Sequence, residues 1–163
     1  MKKFNFLMIF IITLSMVFTT FLMGEDTTLT EAQKEAVALV NKAVDLIREK
    51  GETALVEINK PEGGFYIEEK ALYAFVYDEN CVMLAHPYKP SLVGKSYLGK
   101  PDIKGKKFRD EIVQKALTNG AGWTDYSYQK PNDPGIHQKT AYGKFIEKDG
   151  KKYIVVAGVY KEN

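Results

Sequence analysis

Cys81 and His86 are the first pair that invites a chemical reading, because a thiolate and an imidazole base five residues apart could share a reaction. Within one strand, however, odd spacing sends two side chains to opposite faces, and no third group is placed to activate either. Metal binding fares no better, since two histidines, His86 and His137, and a single cysteine show no H-x-x-x-H or H-E-x-x-H spacing. The lone cysteine also excludes an intrachain disulfide and C-x-x-C or C-x-x-C-H chemistry, and the chain has no Gly-rich phosphate loop. These residues therefore assign no catalytic group, metal or cofactor, and the expectation is a protein that is not an enzyme.

Charge narrows the partners. The formal net charge of +2 comes from Lys2 and Lys3, and from residue 25 onward acidic and basic side chains balance. Such a domain has no electrostatic attraction for nucleic acid or anionic lipid. Lys2 and Lys3 precede the uncharged run Phe4 to Met23, which reads as an export segment. Residues 1–24 are thus a signal peptide or an amino-terminal membrane anchor. The polar residues Asn5, Thr13, Ser15, Thr19 and Thr20 weaken a permanent span and favour cleavage. Either way residues 25–163 form one domain in the periplasm or outside the cell, long enough to bury its own core.

The elements that must position any site follow from periodicity. Thr30 and Gln33 form a capping box, and Ala36, Val40, Ala43, Val44 and Ile47 recur at helical spacing until Gly51. A shorter helical stretch, 52–59, stops at Pro61. Residues 71–78 and 81–86 read as a hairpin. Residues 87–107, with three Pro, three Gly and six Lys, form a long loop of the functional kind. A helix over 108–119 and three strands over 122–129, 140–147 and 152–160 complete an α+β order, with about five antiparallel strands covered by helices on one side.

The stretches YAFVYD (73–78), MLAHP (83–87), LVGKS (92–96), the helix 108–117, GWTDYSYQKP (122–131), KTAYGKF (139–145) and YIVVAGVY (153–160) occur in this order. Together they resemble the single Cache domains of type 2, PAS-like extracytoplasmic sensor modules of bacterial chemoreceptors and kinases. The resemblance implies a long amino-terminal helix on a curved five-stranded antiparallel sheet that encloses a small ligand, often a short carboxylate such as pyruvate, acetate or propionate. It also implies a membrane receptor or kinase as signalling partner, and a homodimer formed through residues 28–50. Because the sequence stops three residues after Tyr160, the expectation is a solitary exported protein, free or tethered by residues 4–23. The alternative is a ligand-free interaction subunit of a receptor, kinase or transporter.

A buried carboxylate needs a cation or several polarised donors. On the resemblance, Lys139 supplies the charge, His86, Tyr126 and Tyr142 donate hydrogen bonds, and Trp123 forms an apolar wall. Tyr73, by an inward hydroxyl, and Lys95, at the pocket mouth, are further ligand-binding candidates. Trp123 and Tyr126 can share a pocket only across a bulge or at a strand end, because their spacing is odd. Plainer roles compete: a strand-end hydrogen bond for His86, core packing for Trp123, a solvated amine for Lys139, and buried rings with wet hydroxyls for the tyrosines. Tyr77 and Tyr160 fit sheet packing, and His137 reads as exposed in a turn-rich loop. A pocket filled by the protein's own side chains, with Lys139 in bulk water, would defeat the carboxylate reading.

Overall fold

A computed structural model describes residues 29–161, so the expected leader, residues 1–24, lies outside the described residues. Helix α1 (Glu31–Lys50) starts at the expected capping box: Gln33 N–H donates to the Thr30 hydroxyl at 3.2 Å and Thr30 N–H to the Gln33 side chain at 2.9 Å. Ala36, Leu39, Val40, Ala43, Val44 and Ile47 make one buried stripe, and each large apolar side chain so buried contributes about 1.5–3 kcal/mol. Gly51 ends the helix at φ +58°, where a side chain would be strained and would meet the Asp149 carboxylate. Helix α2 (Ala54–Ile58) is shorter than 52–59, because a 3-10 turn occupies Gly51–Thr53.

The strands are β1 (Tyr66–Ile67), β2 (Leu72–Tyr77), β3 (Met83–Ala85), β4 (Ala121–Gln129), β5 (Ile136–Lys148) and β6 (Lys151–Tyr160), with α3 (Phe108–Asn119) before β4. Their order is β1-β2-β6-β5-β4, with β3 also on β2 and every pairing antiparallel. Strand β5 begins four residues earlier than Thr140, since residues 136–139 continue the ladder with β4. His137 is accordingly a half-buried strand residue rather than an exposed loop residue. The β4–β5 register is unbroken from Ala121 opposite Lys144 to Gln129 opposite Ile136. The irregularity lies instead between Val76 and Tyr77, where β2 meets β3.

Alternation along β2 and β6 divides the core. Ala74, Val76, Val155 and Ala157 pack with α1, whereas Tyr73, Phe75, Tyr77, Ile154 and Val156 pack with Phe108, Ile112 and Val113 of α3. The two long helices therefore cover opposite faces of the sheet, a correction to the one-sided arrangement. Among the described residues no helix is long and apolar enough to cross a membrane.

Residues 87–107 form the long loop, and carboxylates fasten it beside the α3 face. Asp102 accepts from the N–H groups of Ser127, Lys104 and Lys106, each at 2.9 Å. Asp110 accepts from Gly99 N–H at 2.9 Å.

Candidate functional site

Aromatic rings build a chamber on the α3 face. Tyr73, Phe75 and Tyr77 enter from β2, Met83 and His86 from β3 and its end, Phe108 and Arg109 from α3, and Tyr126 and Tyr128 from β4. Tyr126 lies flat against Phe108 at 3.9 Å between centroids, with Tyr128 edge-on to both. The rings nearly close the space, leaving about 10 Å³, room for about one water. Beyond Phe108, Arg109 and Tyr128 a vestibule of about 180 Å³ opens between Ile103 and Ile136.

Lys139 is fully buried on the same face. In the sheet ladder it stands opposite Tyr126 on one side and Tyr160 on the other, and directly paired residues of antiparallel strands share a face. Gly158 makes this approach feasible: a Cβ there would come within 2.7 Å of the Ala141 Cβ and 2.6 Å of the Thr140 carbonyl oxygen. The Lys139 Nζ donates to the Tyr73 hydroxyl at 3.0 Å and lies 4.1 and 4.6 Å from the ring centroids of Tyr73 and Tyr160. Among the described residues it has no carboxylate partner. Burial alone pulls its ammonium down to about 7, because an unpaired charge in a low-dielectric interior favours its neutral form.

His86 is placed as a donor. Its Nδ1 accepts from Lys89 N–H at 2.9 Å, so the neutral ring carries its proton on Nε2. Its backbone N–H donates to Asn59 at 2.8 Å and its ring stacks on Phe75 at 5.6 Å. Burial, helped by the Lys139 and Lys89 cations, lowers the imidazole to about 3. Burial likewise raises Tyr73 and Tyr126 well above the usual phenol range, so both hydroxyls keep their protons as donors.

Arg109 is the residue that sequence reasoning missed. It is 8% exposed, and among the described residues its Nε has no hydrogen-bond partner and its NH1 reaches only the Lys100 carbonyl at 3.4 Å. Its guanidinium packs over Phe108 at 4.2 Å and Tyr97 at 4.8 Å. A signal did exist: a cation in the first turn of a helix opposes the helix dipole, so Arg109 directly after Phe108 needs a reason to be there.

The structure thus brings Lys139, His86, Tyr126 and Tyr73 together, and adds Arg109, Phe75, Tyr77, Phe108, Tyr128 and Tyr160. It does not bring in the others. With no bulge in β4, Trp123 points to the α1 face, where it pairs with Tyr142 at 5.4 Å between centroids. Both are core-packing side chains on the far side of the sheet. Lys95 is exposed and meets β3 through its backbone, its carbonyl accepting from Met83 N–H at 3.0 Å. Larger clefts of about 450 and 470 Å³ lie beside the start of α1. Of the ammonium groups that line them, Lys70 pairs with Glu35 and Lys161 with Asp125, whereas Lys130 lies over the Tyr160 ring at 6.0 Å, half-buried and in contact with water rather than in a buried site.

Solved structures share this architecture. A periplasmic sensor domain of a chemotaxis protein matches with a TM-score of 0.68 and 25% identity, over 83% of this chain and 99% of its own. A Cache chemosensory domain solved for its recognition of carboxylic acids matches at 0.66 and 24%, over 79% of this chain and 92% of its own. A methyl-accepting chemotaxis protein from Vibrio parahaemolyticus RIMD 2210633 matches at 0.65 and 21%, over 78% and 87%. Together with the two-faced sheet and the aromatic chamber, the match of residues 7–163 to the family model "Single Cache domain 2" shows that the chain belongs to the single Cache sensor domains.

Proposed function

We propose that this domain is a periplasmic sensor that binds a short monocarboxylate, such as acetate, propionate or pyruvate, and hands its state to a membrane receptor or kinase. One observation carries the reading: among the described residues Lys139 is fully buried without a carboxylate partner, beside the hydroxyl of Tyr73. A buried cation of this kind costs several kcal/mol unless an anion compensates it, and a ligand carboxylate between Lys139, Tyr126, Tyr73 and His86 would do so. The Nε of Arg109 offers a further donor at the opposite wall. The likeness to a domain solved for carboxylic acid recognition supports the same class. Catalysis is not part of the proposal, because Cys81 is buried and its thiol is raised to about 11, mainly by burial.

Affinity has a ceiling. A pyruvate has about six heavy atoms, and at about 1.5 kcal/mol per atom the limit is roughly 9 kcal/mol. Part of that must open a chamber of about 10 Å³, so micromolar binding is expected. The test is a thermal-shift and calorimetric screen of acetate, propionate and pyruvate against the full chain and Lys139→Ala. A charge-assisted hydrogen bond contributes about 1.5–3 kcal/mol, so the variant should bind about tenfold to a hundredfold more weakly. An unchanged dissociation constant would remove Lys139 from the site.

The smallness of the chamber favours one second reading, an interaction subunit whose pocket is filled by its own aromatic rings. A flat screen, with a specific membrane partner recovered by pull-down, would select it.

A further inference from the structure

The charge state of the chamber is unusual in a way that bears on how a carboxylate enters it. Resting on the proposed function, we infer that the chamber takes up its carboxylate together with one proton from solvent, which settles on the Lys139 Nζ. The domain therefore responds to the undissociated acid, that is, to anion and acidity jointly.

The geometry supports this in three steps. Lys139 is fully buried, between the rings of Tyr73 and Tyr160, and its one side-chain hydrogen bond among the described residues goes to a neutral hydroxyl. Among the described residues the groups packed round it carry no negative charge: Tyr73 from β2, Tyr126 from β4 and Tyr160 from β6, with His86 beyond β3. Tyr128 of β4 and Arg109 of α3 stand across the chamber that Tyr73, His86 and Tyr126 line, and Lys89 lies behind His86. With no anion to hold it, the ammonium of the ligand-free domain gives up its proton readily, consistent with a value of about 7. A carboxylate arriving beside Nζ reverses that balance and restores the ammonium. The reaction balances as carboxylate plus solvent proton plus neutral amine giving a carboxylate–ammonium pair.

The buried neighbours of Lys139 whose protonation is shifted do not change charge between pH 6 and 9. His86 stays neutral there, since burial holds it at about 3. Burial raises Tyr73, Tyr77, Tyr126 and Tyr160 above their ordinary value, so they stay protonated.

Isothermal calorimetry of propionate with the full chain, in buffers of differing ionisation enthalpy, reads the proton directly. At pH 6 little uptake is expected. At pH 8.5 uptake should approach one proton per propionate, and affinity should fall by about tenfold per pH unit as Lys139 loses its charge in the free state. The Cε chemical shift of Lys139, followed by NMR in the ligand-free protein and assigned through Lys139→Arg, should titrate near neutrality and lose that midpoint when propionate is added. Propionate binding without proton uptake at pH 8.5, or a Lys139 titration at the ordinary lysine value without ligand, overturns this inference and leaves the carboxylate sensor standing. Failure of acetate, propionate and pyruvate alike to bind at pH 6 overturns both.

Discussion

The Nζ of Lys139 donates a 3.0 Å hydrogen bond to the hydroxyl of Tyr73, two strands away across the sheet and 66 residues earlier in sequence. Both residues are almost wholly buried, so the bond ties an ammonium and a phenol inside the domain at a net cost to folding. Replacing an unpaired buried charge by an apolar side chain of similar length removes that cost. Lys139→Met should therefore raise the melting temperature without ligand by several degrees while abolishing the carboxylate-induced shift. The sign with pH follows from a native value of about 7 below an unfolded value of about 10.4. The penalty is full below pH 7 and shrinks as pH rises toward 10, so the advantage of Met should be larger at pH 6 than at pH 10. Differential scanning fluorimetry across that range measures it, and a Met variant less stable at pH 6 would contradict the assignment.

Arg109→Ala should weaken propionate binding by about tenfold, the scale of one charged hydrogen bond. Arg109→Lys should not restore it, because a lysine cannot present Nε or stack its plane on Phe108 and Tyr97. Calorimetry on both variants tests this. Full rescue by lysine would reduce Arg109 to a point charge.

Trp123→Phe and Tyr142→Phe should lower the melting temperature, yet leave the propionate dissociation constant within about twofold of the parent, because both pack on the α1 face. A tenfold loss of affinity in either would move the site to the other side of the sheet.

Asp102→Ala should loosen the loop over residues 94–107, seen as faster amide exchange at Ser127, Lys104 and Lys106, whose N–H groups it accepts. Burial pushes the Asp102 carboxyl up, but those three donors outweigh it and leave the value below the ordinary aspartate range. The clasp is thus complete above that range and is lost as pH falls through the lowered value. The protection of these amides, taken relative to the intrinsic exchange rate at each pH, should fall in acid in the parent and show no such step in the variant.

Much of this was legible from residue order. The capping box of Thr30 and Gln33, the Gly51 stop, the limits of the 108–119 helix and the antiparallel sheet all followed from local rules, which those segments obey. Which side of the sheet each aromatic occupies depended on one non-local fact, the unbroken β4–β5 register. That parity sends Tyr126 into the chamber and Trp123 away from it. Lys139 was within reach only through likeness to known domains, because one lysine among many carries no local sign of burial. Arg109 was hidden for a different reason: its significance comes from rings contributed by β4 and the loop, far away in sequence.

Gly158 and Lys139 impose opposite selection rules on neighbouring strands. Nothing larger than hydrogen fits at 158 without forcing β5 and β6 apart, so a library screened for thermostability alone should return glycine there. The same screen should discard lysine at 139, and only a screen for response to acid should bring it back. Two positions on the same face of adjoining strands would then report separately on shape and on signal.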